Sequence, residues 1–106
     1  DVLLMAAEAL NRGGIDESRA RMYLNMVRER AGLDEVQVSG NNLTEAIFEE
    51  RRKELVGEGH RFFDLVRTGR AAQNIDGFTA GKNELFPIPL EEIEFSQGNW
   101  EQNPGY

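Results

Sequence analysis

Arg51, Glu58, Arg61 and Asp64 are the residues of this 106-residue chain whose types and spacing invite a chemical reading. They are interleaved with Phe62 and Phe63, so charge and aromatic bulk share one short stretch. Two carboxylates held close together could act as acid and base in glycoside hydrolysis. With 19 acidic residues in so short a chain, close acidic pairs are almost unavoidable, and catalysis gains little support from one. A structural role fits the spacing better. Arg51 lies four positions from both Ile47 and Leu55, inside an apolar stripe, where a guanidinium must snorkel or meet a carboxylate. Glu50, Glu54, Glu58 and Asp64 are at hand. Glu58 and Arg61, like Asp64 and Arg67, are three apart, and Glu49 and Lys53 are four apart, spacings that meet on a helix. Arg51, Glu58, Arg61 and Asp64 therefore read as a partly buried structural ion network, and Glu49, Arg52 and Lys53 as a solvated surface.

Other chemistry finds no foothold. His60 is the only histidine, and one imidazole beside acids is not a metal site; it is expected to begin a helix or to hydrogen-bond within the network. Cysteine is absent, which removes disulfides, thiol nucleophiles and thiolate ligands together. No nucleophile elbow or glycine-rich phosphate loop is present. No catalytic residue, metal or cofactor is expected. The net charge of -7 opposes the binding of nucleic acid or anionic lipid. Phe78, Trp100 and Tyr106 stand among polar and glycine-rich residues. They could stack on sugar rings, but the favoured expectation is that Trp100 pins the turn-rich tail to the helical core.

The elements that must position these residues are helical. Leu3, Ala6, Ala7 and Leu10 share one face of a helix over residues 2–11, which Gly13 and Gly14 end. Asp16 is a candidate N-cap for a second helix with Ala20, Tyr23, Leu24, Val27 and Ala31 as its stripe and Gly32 at its C-terminus. The short connection makes the two an antiparallel helical hairpin, with Ala6, Ala9 and Ala20 permitting close, tetratricopeptide-like packing. Residues 33–41 read as a loop in which Val36 and Val38 cover a core edge. Asn42 with Glu45 resembles a capping box, with Thr44 as the competing N-cap, for a third helix reaching about Val56. Gly57 and Gly59 then break the chain before a fourth helix over residues 60–73. Two prolines force residues 85–89 to be extended, residues 90–95 form one or two helical turns, and residues 96–106 are turn-rich with Trp100 and Tyr106 as anchors. The fold class is all-α: one hairpin, two further helices and an irregular C-terminal segment.

The chain resembles the SusD/RagB family. The resemblance rests on residues 50–55, reading ERRKEL, on residues 58–67, reading EGHRFFDLVR, and on Gly69 and Arg70. Residues 1–11 and 27–33 look like the helices that precede this signature in the family. Residues 85–89, Glu92, Ile93 and residues 102–106 look like the family's segments on its C-terminal side. One departure is Ala7, where the family often carries an aromatic residue. Because Asp1 is not a methionine and residues 2–5 already read as helix interior, the expectation is a fragment. Residues 1–106 would be the C-terminal region of a longer SusD/RagB-like domain whose N-terminal part is absent.

The resemblance implies a mostly α-helical, tetratricopeptide-containing lipoprotein on the outer face of the outer membrane of Bacteroidetes-type bacteria. It implies nutrient binding, chiefly of glycans or oligosaccharides, with delivery to a SusC-like TonB-dependent outer-membrane transporter as partner. Contact with the membrane would run only through an N-terminal lipid anchor outside these residues. The family's ligand-contacting aromatics come largely from other segments, so no ligand-binding residue is assigned here, and the role expected is not that of an enzyme. The alternatives are a generic helical-repeat scaffold for protein–protein interaction and, last, a carboxylate-dependent glycoside hydrolase.

Overall fold

Small and branched aliphatic side chains at helical spacing set the architecture. The computed structural model describes all 106 residues and contains only helices, turns and extended segments. In order the helices are α1 (Val2–Arg12), α2 (Glu17–Arg30), α3 (Gly40–Glu54), α4 (His60–Arg67), α5 (Ala71–Asn74) and α6 (Leu90–Phe95). The fold class is all-α, as the periodicity indicated. The chain divides into two compact units, Asp1–Arg61 and Phe62–Tyr106.

In the first unit α1 and α2 pair as the expected hairpin, and α3 packs against both. The core is Leu4, Ala7, Ala20, Leu24, Val27, Leu43 and Ile47, with Leu3, Leu10, Tyr23, Val36, Val38 and Ala46 around it. Leu4, Leu24, Leu43 and Ile47 are fully enclosed, each worth roughly 1.5–3 kcal/mol of burial. Ala7 and Ala20 are also fully buried, which lets the helix backbones approach.

The helix ends follow local chemistry. Asp16 caps α2 by accepting the Arg19 N–H at 2.9 Å. Gly32 ends α2 with φ of +71°, its N–H donating to Glu29 O at 2.9 Å while the Leu33 N–H donates to Arg28 O at 2.9 Å. The same closure recurs at Gly69, with φ of +70°, where the Arg70 N–H reaches Leu65 O at 2.8 Å. It divides the helix expected over residues 60–73 into α4 and the single turn of α5.

The start of α3 differs from expectation. Neither Asn42 nor Thr44 caps it; the helix begins at Gly40, and Ser39 at the cap position makes no side-chain bond. The cap comes from elsewhere in the unit, as Glu17 Oε2 accepts the Gly40 N–H at 2.8 Å. Thr44 Oγ1 instead accepts a hydrogen bond from Asn11 Nδ2 at 2.7 Å.

The Glu17–Gly40 contact belongs to a ladder. The connection before α3 runs beside α2, and alternate loop residues are held by α2 side chains in reverse order. Arg28 Nε donates to Asp34 O at 2.8 Å, the Asn25 carboxamide pairs with Val36, and Arg21 Nη1 donates to Val38 O at 2.9 Å. With Glu17 on Gly40 there are rungs at four places. An extended strap thus satisfies its backbone without a second strand.

The second unit uses the same device. Gln102 pairs with both backbone groups of Ile88, accepting its N–H at 2.8 Å and donating Nε2 to its carbonyl at 2.8 Å. Asn103 Nδ2 donates to Phe86 O at 2.7 Å, and the Tyr106 hydroxyl to Leu85 O at 3.0 Å. Lys82 Nζ lies 4.6 Å from the centre of the Tyr106 ring. Tyr106 is therefore an anchor, as expected. Trp100 is not: its side chain is 54% exposed, and the carboxamides of Gln102 and Asn103 hold the tail instead. The physical reason is the proline pair at 87 and 89, which denies residues 85–89 a regular ladder and leaves their carbonyls to side-chain donors.

Candidate functional site

The charged residues singled out by spacing fall in both units. Ile47 and Leu55 place Arg51 on the inner face of α3, where it is 4% exposed. Its Nη1 donates to Asp1 Oδ1 at 2.7 Å, so a residue fifty positions away supplies a carboxylate for the buried guanidinium. Arg61 lies with its guanidinium carbon 4.8 Å from the centre of the Phe48 ring, a cation–π contact. Glu58 is exposed, on the turn between Gly57 and Gly59, and its N–H donates to Leu55 O at 3.1 Å. His60 is the first residue of α4.

In the second unit Asp64 is buried on α4 and accepts two hydrogen bonds on one oxygen, from Arg67 Nε at 2.9 Å and Nη2 at 2.7 Å. Its own carbonyl accepts from the Thr68 hydroxyl at 2.6 Å. Phe62 meets Phe63 edge-on at 5.7 Å and lies 6.4 Å from Phe78. On the surface Glu49 pairs with Arg52 at 2.9 Å.

Two polar residues of structural weight were missed by the spacing argument. Glu50, 3% exposed, accepts from Arg28 Nη1 at 2.8 Å and ties α3 to α2. It stands three residues after Ile47 and seven after Leu43, so the apolar period itself marks Glu50 as inward-facing. Asn25 is likewise buried, beside Leu24 in the α2 stripe. Its partner is a loop backbone, which no sequence spacing could name.

No three or more acidic, histidine or cysteine side chains converge as a metal cage. A shallow groove of about 360 Å³ on α2 is lined by Ser18, Arg21, Met22, Asn25, Met26, Glu29 and Glu35. It gathers no nucleophile–base pair. What the units contain is a set of charges used to hold helices, straps and turns.

The comparison with known families matches the SusD family over residues 1–84. The chain belongs to the SusD family. A SusD-like protein of Formosa agariphila is 34% identical, over 100% of this chain and 24% of its own length. A SusD homolog of Bacteroides thetaiotaomicron superposes with a TM-score of 0.85 at 36% identity, over 96% of this chain and 23% of that one. A SusD-like protein of Bacteroides fragilis gives a TM-score of 0.87 at 30% identity, over 99% and 24% respectively. The chain therefore spans between a fifth and a quarter of the length of the curated relatives it matches. The residue stretch that carried the resemblance, from Glu50 to Arg70, lies wholly within the matched SusD-family residues.

Proposed function

We propose that this SusD-family chain is the C-terminal region of a longer, non-catalytic protein that binds nutrients at the outer face of the outer membrane. Its ligands are glycans or oligosaccharides, and it hands them to a SusC-like TonB-dependent transporter. A lipid anchor at the N-terminus of the longer protein holds it to the membrane. The observation that supports this reading is the family match over residues 1–84, joined to a TM-score of 0.87 over nearly the whole chain. The charged stretch supports the non-catalytic part. Arg51, Arg61 and Asp64 act as structural charges, in keeping with Arg51 on Asp1, Arg61 over Phe48 and Asp64 under Arg67, while Glu58 stands exposed on its turn outside these contacts.

The test is made on the gene product that carries this chain, in its own bacterium. Protease added to intact cells is expected to digest it, and mild detergent extraction to bring a large β-barrel transporter with it. Protection from protease until the cells are broken would contradict the surface assignment. In that case a helical-repeat scaffold inside the cell becomes the better account.

A further inference from the structure

The second unit encloses too little apolar surface to account for its own order. Every buried apolar side chain apart from Leu65 and Ala71 belongs to the first unit. Two such side chains do not offset the conformational entropy lost in ordering Phe62–Tyr106. Phe62 and Phe78 meet at 6.4 Å but are only half-buried, and no residue of α6 is buried. The larger apolar side chains lie open instead. Phe86 is 83% exposed, Leu90 69% and Phe95 88%, and Phe63 and Leu85 are exposed as well. Their backbone is nevertheless fixed. Asn103 Nδ2 donates to Phe86 O, the Tyr106 hydroxyl to Leu85 O, and Gln102 takes both backbone groups of Ile88. Ser96 closes α6, its N–H donating to Glu92 O at 3.0 Å and its hydroxyl to Ile93 O at 2.7 Å.

We propose that Phe63, Phe86, Leu90 and Phe95 dock against the part of the longer protein that precedes Asp1, which supplies the other half of this unit's core. The proposal rests on the reading above that the chain is the C-terminal region of a longer protein, and it names the side chains that fasten that region to the rest. Three observations select this occupant over a transporter or a second copy. The Formosa agariphila relative matches the whole chain with only 24% of its own length, so most of its polypeptide lies outside and is available as cover. The exposed apolar side chains come from α4, from the extended residues 85–89 and from both ends of α6. That spread resembles a domain core cut in half, whereas a recognition patch concentrates its anchors at one centre. Finally, a unit with so small a core needs its cover in order to fold, so the cover must belong to the same polypeptide; a partner met after folding arrives too late.

The experiment uses the complete gene product, purified as a monomer and free of any transporter. Hydroxyl-radical labelling is expected to spare Phe86, Leu90 and Phe95 in the native protein and to modify all three once guanidinium has unfolded it. Phe86→p-benzoylphenylalanine, irradiated in the same monomer, is expected to join to a peptide that precedes Asp1 in its own chain. Phe86→Asp and Phe95→Asp should each lower Tm, as placing a charge in a packed core does. Free labelling of these side chains in the native monomer overturns the docking. So does protection that appears only when a transporter or a second copy is added, or a crosslink to another molecule. Each of those results leaves the nutrient-binding reading standing. A gene product no longer than this chain overturns the docking and the longer-protein reading together.

Discussion

Asn25 and Val36 are paired as though the asparagine side chain were a strand. Nδ2 donates to Val36 O at 3.1 Å, and the Val36 N–H donates back to Oδ1 at 3.0 Å. The buried carboxamide satisfies both backbone groups of a loop residue, and each of its own polar atoms gains a partner. It is the central rung of the ladder by which α2 holds the strap leading into α3, and the strap in turn covers the core edge with Val36 and Val38.

Asn25→Ala should therefore loosen the strap as well as the helix. Leaving buried polar groups without partners costs about 1–3 kcal/mol. Urea denaturation is expected to show that loss. Amide exchange at Val36 should accelerate more than exchange in the middle of α1, and an unchanged exchange rate there would count against the ladder.

The Arg28–Glu50 pair makes a sharper case, since Glu50 is almost wholly buried. Arg28→Met strands that carboxylate and is expected to cost about 3–5 kcal/mol. Arg28→Met with Glu50→Met removes both charges and should recover the part of the loss due to the stranded carboxylate, leaving the smaller cost of the lost Arg28 bond to Asp34 O. A double variant no better than Arg28→Met would show that the pair is not the source of the cost.

Acid should weaken the α3 surface in a definite direction. The hydrogen bond from Arg52 holds the Glu49 carboxyl below its ordinary value. A carboxylate so lowered contributes stability that is complete above its unfolded value, about 4.3, and lost as pH falls through the folded one. Glu49→Gln should therefore flatten the pH dependence of stability in that acid range and leave neutral pH nearly untouched, because the pair is exposed and screened. A large loss at neutral pH would contradict this.

How much of the structure was legible in the sequence depended on the range of each interaction. The spacing of Leu3, Ala6, Ala7 and Leu10 sufficed for α1, and Asp16 and Gly32 bounded α2 because caps are local. Prolines at 87 and 89 fixed an extended segment, and α6 spans the expected residues 90–95. The start of α3 was misplaced because its cap, Glu17, arrives from another helix. The partner of Arg51 was out of reach for the same reason: Asp1 is adjacent only once α1 has docked. Trp100 failed as an anchor because composition shows that a tail must be held without showing by what, and the carboxamides of Gln102 and Asn103 do the holding.

The charged stretch, on this reading, carries structure and leaves ligand recognition to other residues. Asp64 tests that division of roles most directly, being buried, acidic and held by Arg67. The measurement compares Asp64→Asn with the parent in the complete gene product, recording Tm and oligosaccharide Kd on the same samples. The predicted result is a clearly lower Tm with Kd unchanged. An unchanged Tm with binding lost, or turnover of the oligosaccharide that the substitution abolishes, would contradict it.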